Sequence, residues 1–284
     1  MSLGTKSKKK LFFKKLKGGA KMEKTICAYK NAKDKIVTLC DWHVPFEDKI
    51  VVEIQLQFCK HEQPPIIILH ELHDFYAISR FDKDPKRISS LQSEIDKVNE
   101  YVKRLRDYCP KARIILLSSN HTDRLKKYLW RQAPGLHSLR SLQLKELLNL
   151  EELNIEYKET FTYKGVIFKH GNKIRKFSAY TAHMEFENEG MSGASGHTHR
   201  LGVYFTTVRG GKYVWIESGC GCKLNPEYMD GIPNWQNGFS IVAFDKKGKH
   251  FYPTVVPIID HRADWGNITI DGNKQKPQLK TKRR

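Results

Sequence analysis

The sequence predicts an α/β protein, and two observations carry the prediction. In the first half, short apolar runs rich in β-branched residues alternate with longer segments in which apolar residues recur at helical spacing. In the second half, alternating apolar and polar runs flank short glycine-containing turns, which is typical of β-hairpins. The alternation of strands and helices predicts a parallel sheet covered by helices, and the hairpins predict antiparallel strands after it.

The first half of the chain contains predicted strands at residues 36–40, 66–69 and 114–117. Helices are predicted at residues 46–60, 88–108, 125–131 and 139–148, where apolar residues recur every three or four positions. Pro64-Pro65 ends the first helix and Pro110 ends the second, because proline cannot continue a helix.

The second half contains predicted hairpins at residues 160–170, 203–218 and 239–256, and a predicted helix at 177–188. Turn sequences such as Arg209-Gly210-Gly211 lie between the paired runs. No internal repeat and no long linker divides the chain, so we expect one domain over residues 25–272. Basic flexible tails are expected at residues 1–24 and 273–284.

The net charge of +19 comes mostly from these two tails. Residues 1–24 contain nine Lys against one Glu, and residues 273–284 contain six Lys or Arg with no acid, so together they carry fourteen of the nineteen charges. The remainder is ordinary for a globular domain and predicts no basic face. Residues 6–21 fit either a flexible tail or a basic amphipathic helix on a membrane surface or nucleic acid.

Composition also bears on the cellular compartment. The apolar residues near the N-terminus are too few for a signal peptide, and no run approaches 18 apolar residues, so no membrane span is predicted. The six cysteines follow no disulfide or zinc-finger spacing, which is typical of a reducing compartment and predicts a cytoplasmic protein. Cys220-Gly221-Cys222 is interpreted as a tight loop.

Side chains that bind metals follow several of the predicted strands. His197 and His199 lie two residues apart, so in an extended backbone both project to the same side. A surface turn with two solvated histidines would have the same sequence. Four other strand ends carry similar residues, which favours a metal site. They are Asp41-Trp42-His43, Glu71-Leu72-His73-Asp74, Asn120-His121 and His170-Gly171.

The order of these five segments resembles the calcineurin-like metallophosphoesterases, over roughly residues 36–258. Residues 74–81 resemble the phage and bacterial members labelled phosphoesterase or nuclease. The resemblance implies two facing mixed β-sheets flanked by helices, a four-layer sandwich, with a pair of divalent metals at the strand ends. Mixed nitrogen and oxygen donors favour manganese, with iron, zinc or magnesium as alternatives.

The resemblance also assigns metal ligands, position by position. One metal would be bound by Asp41, His43 and His199. The other would be bound by Asn120, His170 and His197, with Glu71 bridging the pair.

Further residues acquire roles in the reaction from the same resemblance. His121 would protonate the leaving oxygen, and Asp74 would accept a hydrogen bond from His121 and orient its ring. Three arginines are candidates for binding a substrate phosphate, with surface salt bridges as the alternative: Arg80, Arg124 and Arg200.

The chain departs from the family at His70-Glu71, where the family normally has Gly-Asp. Glutamate keeps the carboxylate, so Glu71 is expected to bind metal. It is one methylene longer than aspartate, so a weakened or single-metal site is the alternative. His70 adds an imidazole ring at the position where the family normally has glycine, which has no side chain. His73 is expected to be a solvated bystander.

These features favour a dinuclear-metal-dependent phosphodiesterase, a nuclease that cleaves DNA or RNA through a hydroxide shared by the metals. A protein Ser/Thr phosphatase would have Arg where this chain has Phe75. A phosphatase of another kind, a small-nucleotide phosphodiesterase, and a non-catalytic metal-binding or nucleic-acid-binding scaffold remain open. A scaffold would not need His121 with Asp74.

Overall fold

The computed structural model describes residues 34–225, 231–248, 250–266 and 268–274. Strands in this part of the chain are numbered in sequence order. They are β1 (Lys35–Cys40), β2 (Ile66–His70), β3 (Arg113–Leu117), β4 (Ile155–Lys158), β5 (Thr160–Tyr163), β6 (Val166–Lys169), β7 (Ser192–Ser195), β8 (Leu201–Val208), β9 (Gly211–Ser218), β10 (Gly238–Phe244), β11 (Phe251–Pro257), β12 (Arg262–Trp265) and β13 (Ile268–Asp271).

Two mixed sheets form the centre of the molecule. The first has six strands in the order β11–β10–β1–β2–β3–β4, in which β1 to β4 are parallel, β10 is antiparallel to β1, and β11 is antiparallel to β10. The second has five strands in the order β5–β6–β7–β9–β8, with β6, β7 and β9 parallel. β12 and β13 form a separate hairpin.

The two sheets face each other across a shared apolar core, because side chains alternate along each strand. In β2, Ile66 and Ile68 point into the core between the sheets, where they meet residues such as Phe168 of the second sheet. Ile67 and Leu69 point the other way, towards the helices. Burial on both faces explains why β2 reads as an uninterrupted apolar run.

Helices cover both outer faces. α1 (Lys49–Glu62) and α2 (Leu91–Tyr108) pack on the first sheet, and α5 (Tyr180–Glu189) packs on the second. Two further helices, α3 (Thr122–Gln132) and the single turn α4 (Leu144–Leu147), follow β3. The four-layer α/β arrangement predicted from the sequence is confirmed.

Local capping sets the helix boundaries. The Asp48 carboxylate accepts hydrogen bonds from the backbone N–H of Ile50 at 3.0 Å and of Val51 at 3.2 Å, so α1 begins at Lys49 and not at residue 46. Ser90 caps α2 in the same way, so this helix begins at Leu91 and not at residue 88.

The prediction of one helix over residues 139–148 is wrong. The segment is divided into a 3₁₀ turn, Arg140–Leu142, and the short α4, because Gln143 between them has an extended backbone. The three predicted hairpins are present, as β5–β6, β8–β9 and β10–β11. β4, β7, β12 and β13 were not predicted as separate strands.

The predicted tails lie outside the described residues, apart from Asn273 and Lys274, which belong to the 3₁₀ turn Gly272–Lys274. Within the described ranges, no helix has both the length and the apolar character needed to cross a membrane. Cysteines 40, 59, 109, 220 and 222 are reduced and buried.

Candidate metal centre

The side chains of interest follow the carboxyl ends of strands in both sheets. Asp41 comes directly after β1, Glu71 after β2 and His170 after β6. Backbone hydrogen bonds continue past the strands: Asp41 N–H donates to the His70 carbonyl at 3.1 Å, and Gly196 N–H donates to the His170 carbonyl at 3.1 Å. Strand ends from two facing sheets therefore converge at one place.

Five of the seven predicted ligands have a left-handed backbone. Their φ angles lie between 50° and 67°, a region that most side chains avoid. Such conformations persist only where the surrounding structure enforces them, and they cluster at functional sites. These residues are Asp41, His43, Glu71, His197 and His199.

One group of donors surrounds His170. Its Nε2 lies 2.9 Å from Asn120 Oδ1 and 3.2 Å from His197 Nδ1, and it contacts Oε2 of Glu71. The loop that presents Asn120 is held by a reciprocal pair: Ser119 N–H donates to Thr122 Oγ1 at 2.7 Å, and Thr122 N–H donates to Ser119 Oγ at 3.2 Å. Ser119 and Thr122 satisfy these backbone N–H groups before α3, so the Asn120 side chain is not needed for this purpose and faces the centre.

The second group surrounds His43 and His199. Their Nε2 atoms lie 2.9 Å apart, and ligating atoms of Asp41 lie within 4.8 Å of both rings. Glu71 Oε1 is 3.8 Å from His43 Nε2, while its Oε2 faces His170. One carboxylate thus stands between the two groups of donors.

The donor set fits divalent cations. Oδ1 of Asp41 is buried and has no hydrogen-bond partner in the described part of the chain, so it is available to bind a cation. Burial and neighbouring His170 lower the pKa of His197 to about 4, and burial with neighbouring His43 holds the pKa of His199 well below its usual value. Both rings are neutral and offer lone pairs.

Glu71 is ionised despite its burial. Burial alone would raise the pKa of its carboxyl, but the imidazoles of His170, His121 and His43 outweigh this effect and hold the pKa well below the usual range. For Asp41, burial and the nearby Glu71 carboxylate raise the pKa well above its usual value. A divalent cation between the two carboxylates would favour the charged form of both.

His121 and Asp74 lie together at the edge of this centre. His121 Nδ1 is 3.3 Å from Asp74 Oδ2, and His121 Nε2 is 3.0 Å from Glu71 Oε1. Asp74 is shared more widely than the sequence suggested, because its Oδ2 is also 3.0 Å from His43 Nδ1. Burial disfavours the Asp74 carboxylate, but hydrogen bonds from His121 and His43 hold its pKa well below the usual range.

The three candidate arginines differ in their contacts. Arg124 Nη1 donates to Asp74 Oδ1 at 2.7 Å, and its Nη2 is 2.7 Å from His121 Nε2. Arg200 is nearly buried and donates to the carbonyls of Asn234, at 3.0 Å, and Arg175. Arg80 is exposed. Of the three, only Arg80 is exposed to solvent, whereas Arg124 contacts both Asp74 and His121.

His70 lies behind the centre. Its ring is buried, with Nδ1 3.0 Å from His170 Nδ1, and burial and His170 hold its pKa well below the usual value. Gly196 makes room for it: a Cβ at this position would lie 2.5 Å from His70 Cε1 and 2.7 Å from Asp41 Oδ2. His70 therefore contacts the second ring nitrogen of His170, as residues behind metal ligands do.

His73 is not the solvated residue that was expected. Its ring is fully buried against Phe75, with ring centroids 4.1 Å apart, and neither nitrogen has a hydrogen-bond partner among the described residues. Burial and neighbouring His121 lower its pKa to about 3. A buried neutral ring at this position is a packing residue beneath the centre.

Two neighbours of His199 were not anticipated from the sequence. Trp235 packs against its ring edge-to-face with centroids 4.2 Å apart, and Cys222 Sγ lies 3.7 Å from its Nδ1. The interpretation of residues 220–222 as a tight loop agrees with Gly221, where a Cβ would lie 2.4 Å from Trp42 Cδ1. No signal in the sequence linked this loop to His199.

The centre opens into a cavity of about 790 Å³. Aromatic and apolar side chains form much of its wall: Phe46, Tyr76, Phe81, Ile174 and Trp235. Glu71, Asn120 and His197 are among the residues that reach it, while Asp41 and His170 lie deeper. Donor side chains and aromatic faces therefore line the same cavity.

No protein-family model matches the chain. Two known proteins are similar in sequence. The Gene 54 protein of Mycobacterium phage L5 is 29% identical over 258 residues, covering 84% of this chain and 97% of that protein. The Gene 54 protein of Mycobacterium phage D29 is 26% identical over 268 residues, with the same coverage of 84% and 97%.

Solved structures provide similarities of fold. Vacuolar Protein Sorting 29 from Cryptosporidium parvum aligns with a TM-score of 0.44 and 13% identity, over 84% of this chain and 98% of that chain. A single mutant of Vps29 from Entamoeba histolytica aligns with a TM-score of 0.42 and 10% identity, over 84% and 98%.

Proposed function

We propose that this chain is a dinuclear-metal-dependent phosphodiesterase that acts on nucleic acid. The observation that carries the proposal is the position of Glu71, whose two carboxylate oxygens face different groups of donors. Asp41, His43 and His199 would bind one cation. Asn120, His170 and His197 would bind the other. Glu71 reaches both sides because glutamate is long enough to span them.

Divalent cations in this centre would supply Lewis-acid charge beside the phosphorus and a nucleophile from water at neutral pH. The protein supplies the proton for the leaving oxygen. Asp74 lies beside Nδ1 of His121 and would orient the ring, and His121 lines the cavity that the substrate would enter. Burial lowers the pKa of His121, although the neighbouring Glu71 carboxylate opposes the shift, and this makes the protonated ring a stronger acid.

A nucleic acid substrate is supported by the cavity wall. Nucleobases stack on aromatic side chains, and Phe46, Tyr76, Phe81 and Trp235 surround the approach to the centre. The basic residues 1–24 and 273–284 would add affinity for a polyanion without taking part in the chemistry.

The proposal is tested by stripping the full chain with a chelator and adding back manganese, magnesium or zinc. We expect two equivalents of metal by mass spectrometry, a higher melting temperature in the loaded protein, and faster hydrolysis of bis(p-nitrophenyl) phosphate than of p-nitrophenyl phosphate. His197→Ala should lose metal and activity. His183→Ala is the matched control, because His183 lies on α5, 3.2 Å from Glu187 and away from the centre.

Three results would count against the proposal. A chain that binds no metal has no such centre. A chain that binds two metals but hydrolyses neither ester would be the non-catalytic scaffold. Faster cleavage of the monoester would instead identify a phosphatase.

A further inference from the structure

A second cavity, of about 300 Å³, adjoins the cavity above the proposed metal centre. The two cavities share part of their lining, namely Ser79, Phe81, Asn120 and Arg124. Since Asn120 belongs to the proposed ligand set, the second cavity begins beside the metals. A polymer with its reacting group over the metals would extend into this space.

The second cavity is strongly basic. Four of its lining residues are cations and none is acidic: Arg80, Arg124, Lys127 and Arg131. The last three lie on one face of α3, since positions three and four apart on a helix are neighbours. Anions are the ligands that such a lining favours.

Two of these four cations are paired with carboxylates among the described residues, and the other two are not. Arg124 is bound by Asp74, and Lys127 Nζ is 3.1 Å from the Asp123 carboxylate. Arg80 and Arg131 form no ion pair within the described ranges. Both are exposed, so they can bind an anion without first breaking a salt bridge.

An aromatic ring stands beside these free cations. Phe81 is 61% exposed, which is high for its size, and its ring lies 5.4 Å from the guanidinium carbon of Arg80. It lines both cavities. Alternating cations and an open aromatic face are features with which proteins bind single-stranded nucleic acid, whose unpaired bases stack on such rings.

We infer that the second cavity binds the phosphate next to the scissile one on a single-stranded nucleic acid, and that Phe81 stacks on the intervening base. Arg80 and Arg131 supply the charge. This inference rests on the proposed function, because it places the scissile phosphate over the metal centre. It narrows the substrate from any phosphodiester to a strand with at least two consecutive phosphates.

The test compares substrates that differ by one phosphate. The full, metal-loaded chain is assayed on the dinucleoside monophosphate TpT and the trinucleoside diphosphate TpTpT. We expect Arg131→Gln and Arg80→Gln each to lower the ratio of kcat/KM for TpTpT to that for TpT about tenfold, the worth of one hydrogen bond to a charged group. Lys126→Gln is the matched control, because Lys126 lies on α3 over the Trp130 ring and outside both cavities.

Binding provides an independent measurement. The affinity of fluorescein-labelled oligo(dT) for each variant is followed against salt concentration. Arg131→Gln should lose one phosphate contact, which reduces the slope of log K against log salt by about one. Lys126→Gln should leave this slope unchanged. Phe81→Leu should weaken oligo(dT) binding about tenfold and leave binding of a duplex unchanged.

An unchanged substrate ratio in both arginine variants, or an equal fall in Lys126→Gln, would overturn the inference. A Phe81→Leu variant that binds oligo(dT) normally would remove the single-strand assignment. If the wild-type chain cleaves neither TpT nor TpTpT, the proposed function fails, and the salt slopes alone then decide whether the cavity binds a strand.

Discussion

Replacing Gly196 by alanine should disturb the metal centre through its effect on His70. Gly196 does not have a left-handed backbone, so alanine meets no conformational penalty there and its effect comes from space alone. The added Cβ would lie 2.5 Å from His70 Cε1, 2.9 Å from His70 Nδ1 and 2.7 Å from Asp41 Oδ2. Two of these three contacts are with His70.

The size of the effect follows from these distances. Contacts below 3.0 Å must be relieved, and His70 cannot simply rotate away because its ring is buried against His170. Overpacking of this kind costs about 1–3 kcal/mol. At roughly 2–4 °C per kcal/mol for large domains, Gly196→Ala should lower the melting temperature by about 2–12 °C.

A double-mutant cycle separates the crowding from other effects. His70→Gly removes two of the three close contacts and introduces the glycine that the calcineurin-like metallophosphoesterases, which the sequence resembles, normally have at this position. It also leaves His170 Nδ1 without its partner, so alone it should destabilise the protein by about 1–3 kcal/mol. In the pair, Gly196→Ala should be much less harmful than in the wild-type background, which gives a coupling energy above about 0.5 kcal/mol.

The measurement is chemical unfolding of the chelator-treated proteins, so that metal binding does not enter the free energies. Metal content is then determined separately, and Gly196→Ala should also bind less metal because Asp41 is displaced. Strictly additive free energies in the double variant would refute the account of Gly196 as the space for His70. So would a Gly196→Ala protein as stable as the wild type.

Three further predictions concern other groups. His121→Ala should keep its metal and lower turnover by about 10²–10⁴-fold, with the largest loss for poor leaving groups. Asp74→Asn should lower turnover less. If His121→Ala instead loses metal, His121 is a metal ligand. Glu94 is buried and burial raises its pKa to about 8, so the folded state binds the extra proton and stability falls as pH rises from about 4.5 to about 8. Glu94→Gln should remove this fall and be the more stable protein above pH 8 in unfolding experiments; parallel pH profiles would contradict this. Deleting residues 1–24 and 273–284 should flatten the salt dependence of DNA binding without changing turnover of a small diester, and an unchanged slope would place the relevant charge in the domain.

The parts of the fold that the sequence predicted are those with strong local signals. β1, β2 and β3 are apolar runs bounded by prolines or polar loops, and α2 has a continuous apolar stripe. β7 was missed because Ser192–Ser195 is a run of small residues whose strand state depends on pairing with β6 and β9. Propensity carries little information for such a strand.

The site was predictable to the same degree and for related reasons. Strand ends in a parallel sheet meet at one edge, so residues that follow β1, β2 and β3 had to be neighbours. Contacts made by long side chains from other elements follow no such rule. Arg124 was a candidate for substrate phosphate, yet its guanidinium is held by Asp74, a partner fifty residues away in the chain.

The backbone of the centre provides an argument against solvated turn histidines at residues 197 and 199. A left-handed conformation costs a residue with a side chain of order 1–3 kcal/mol, which glycine would avoid. Asp41, His43, Glu71, His197 and His199 all have it, so their combined strain is comparable to the net stability of a typical domain. The strain is explicable if these side chains must converge on one centre, where Asp41 Oδ1 is buried and has no hydrogen-bond partner among the described residues.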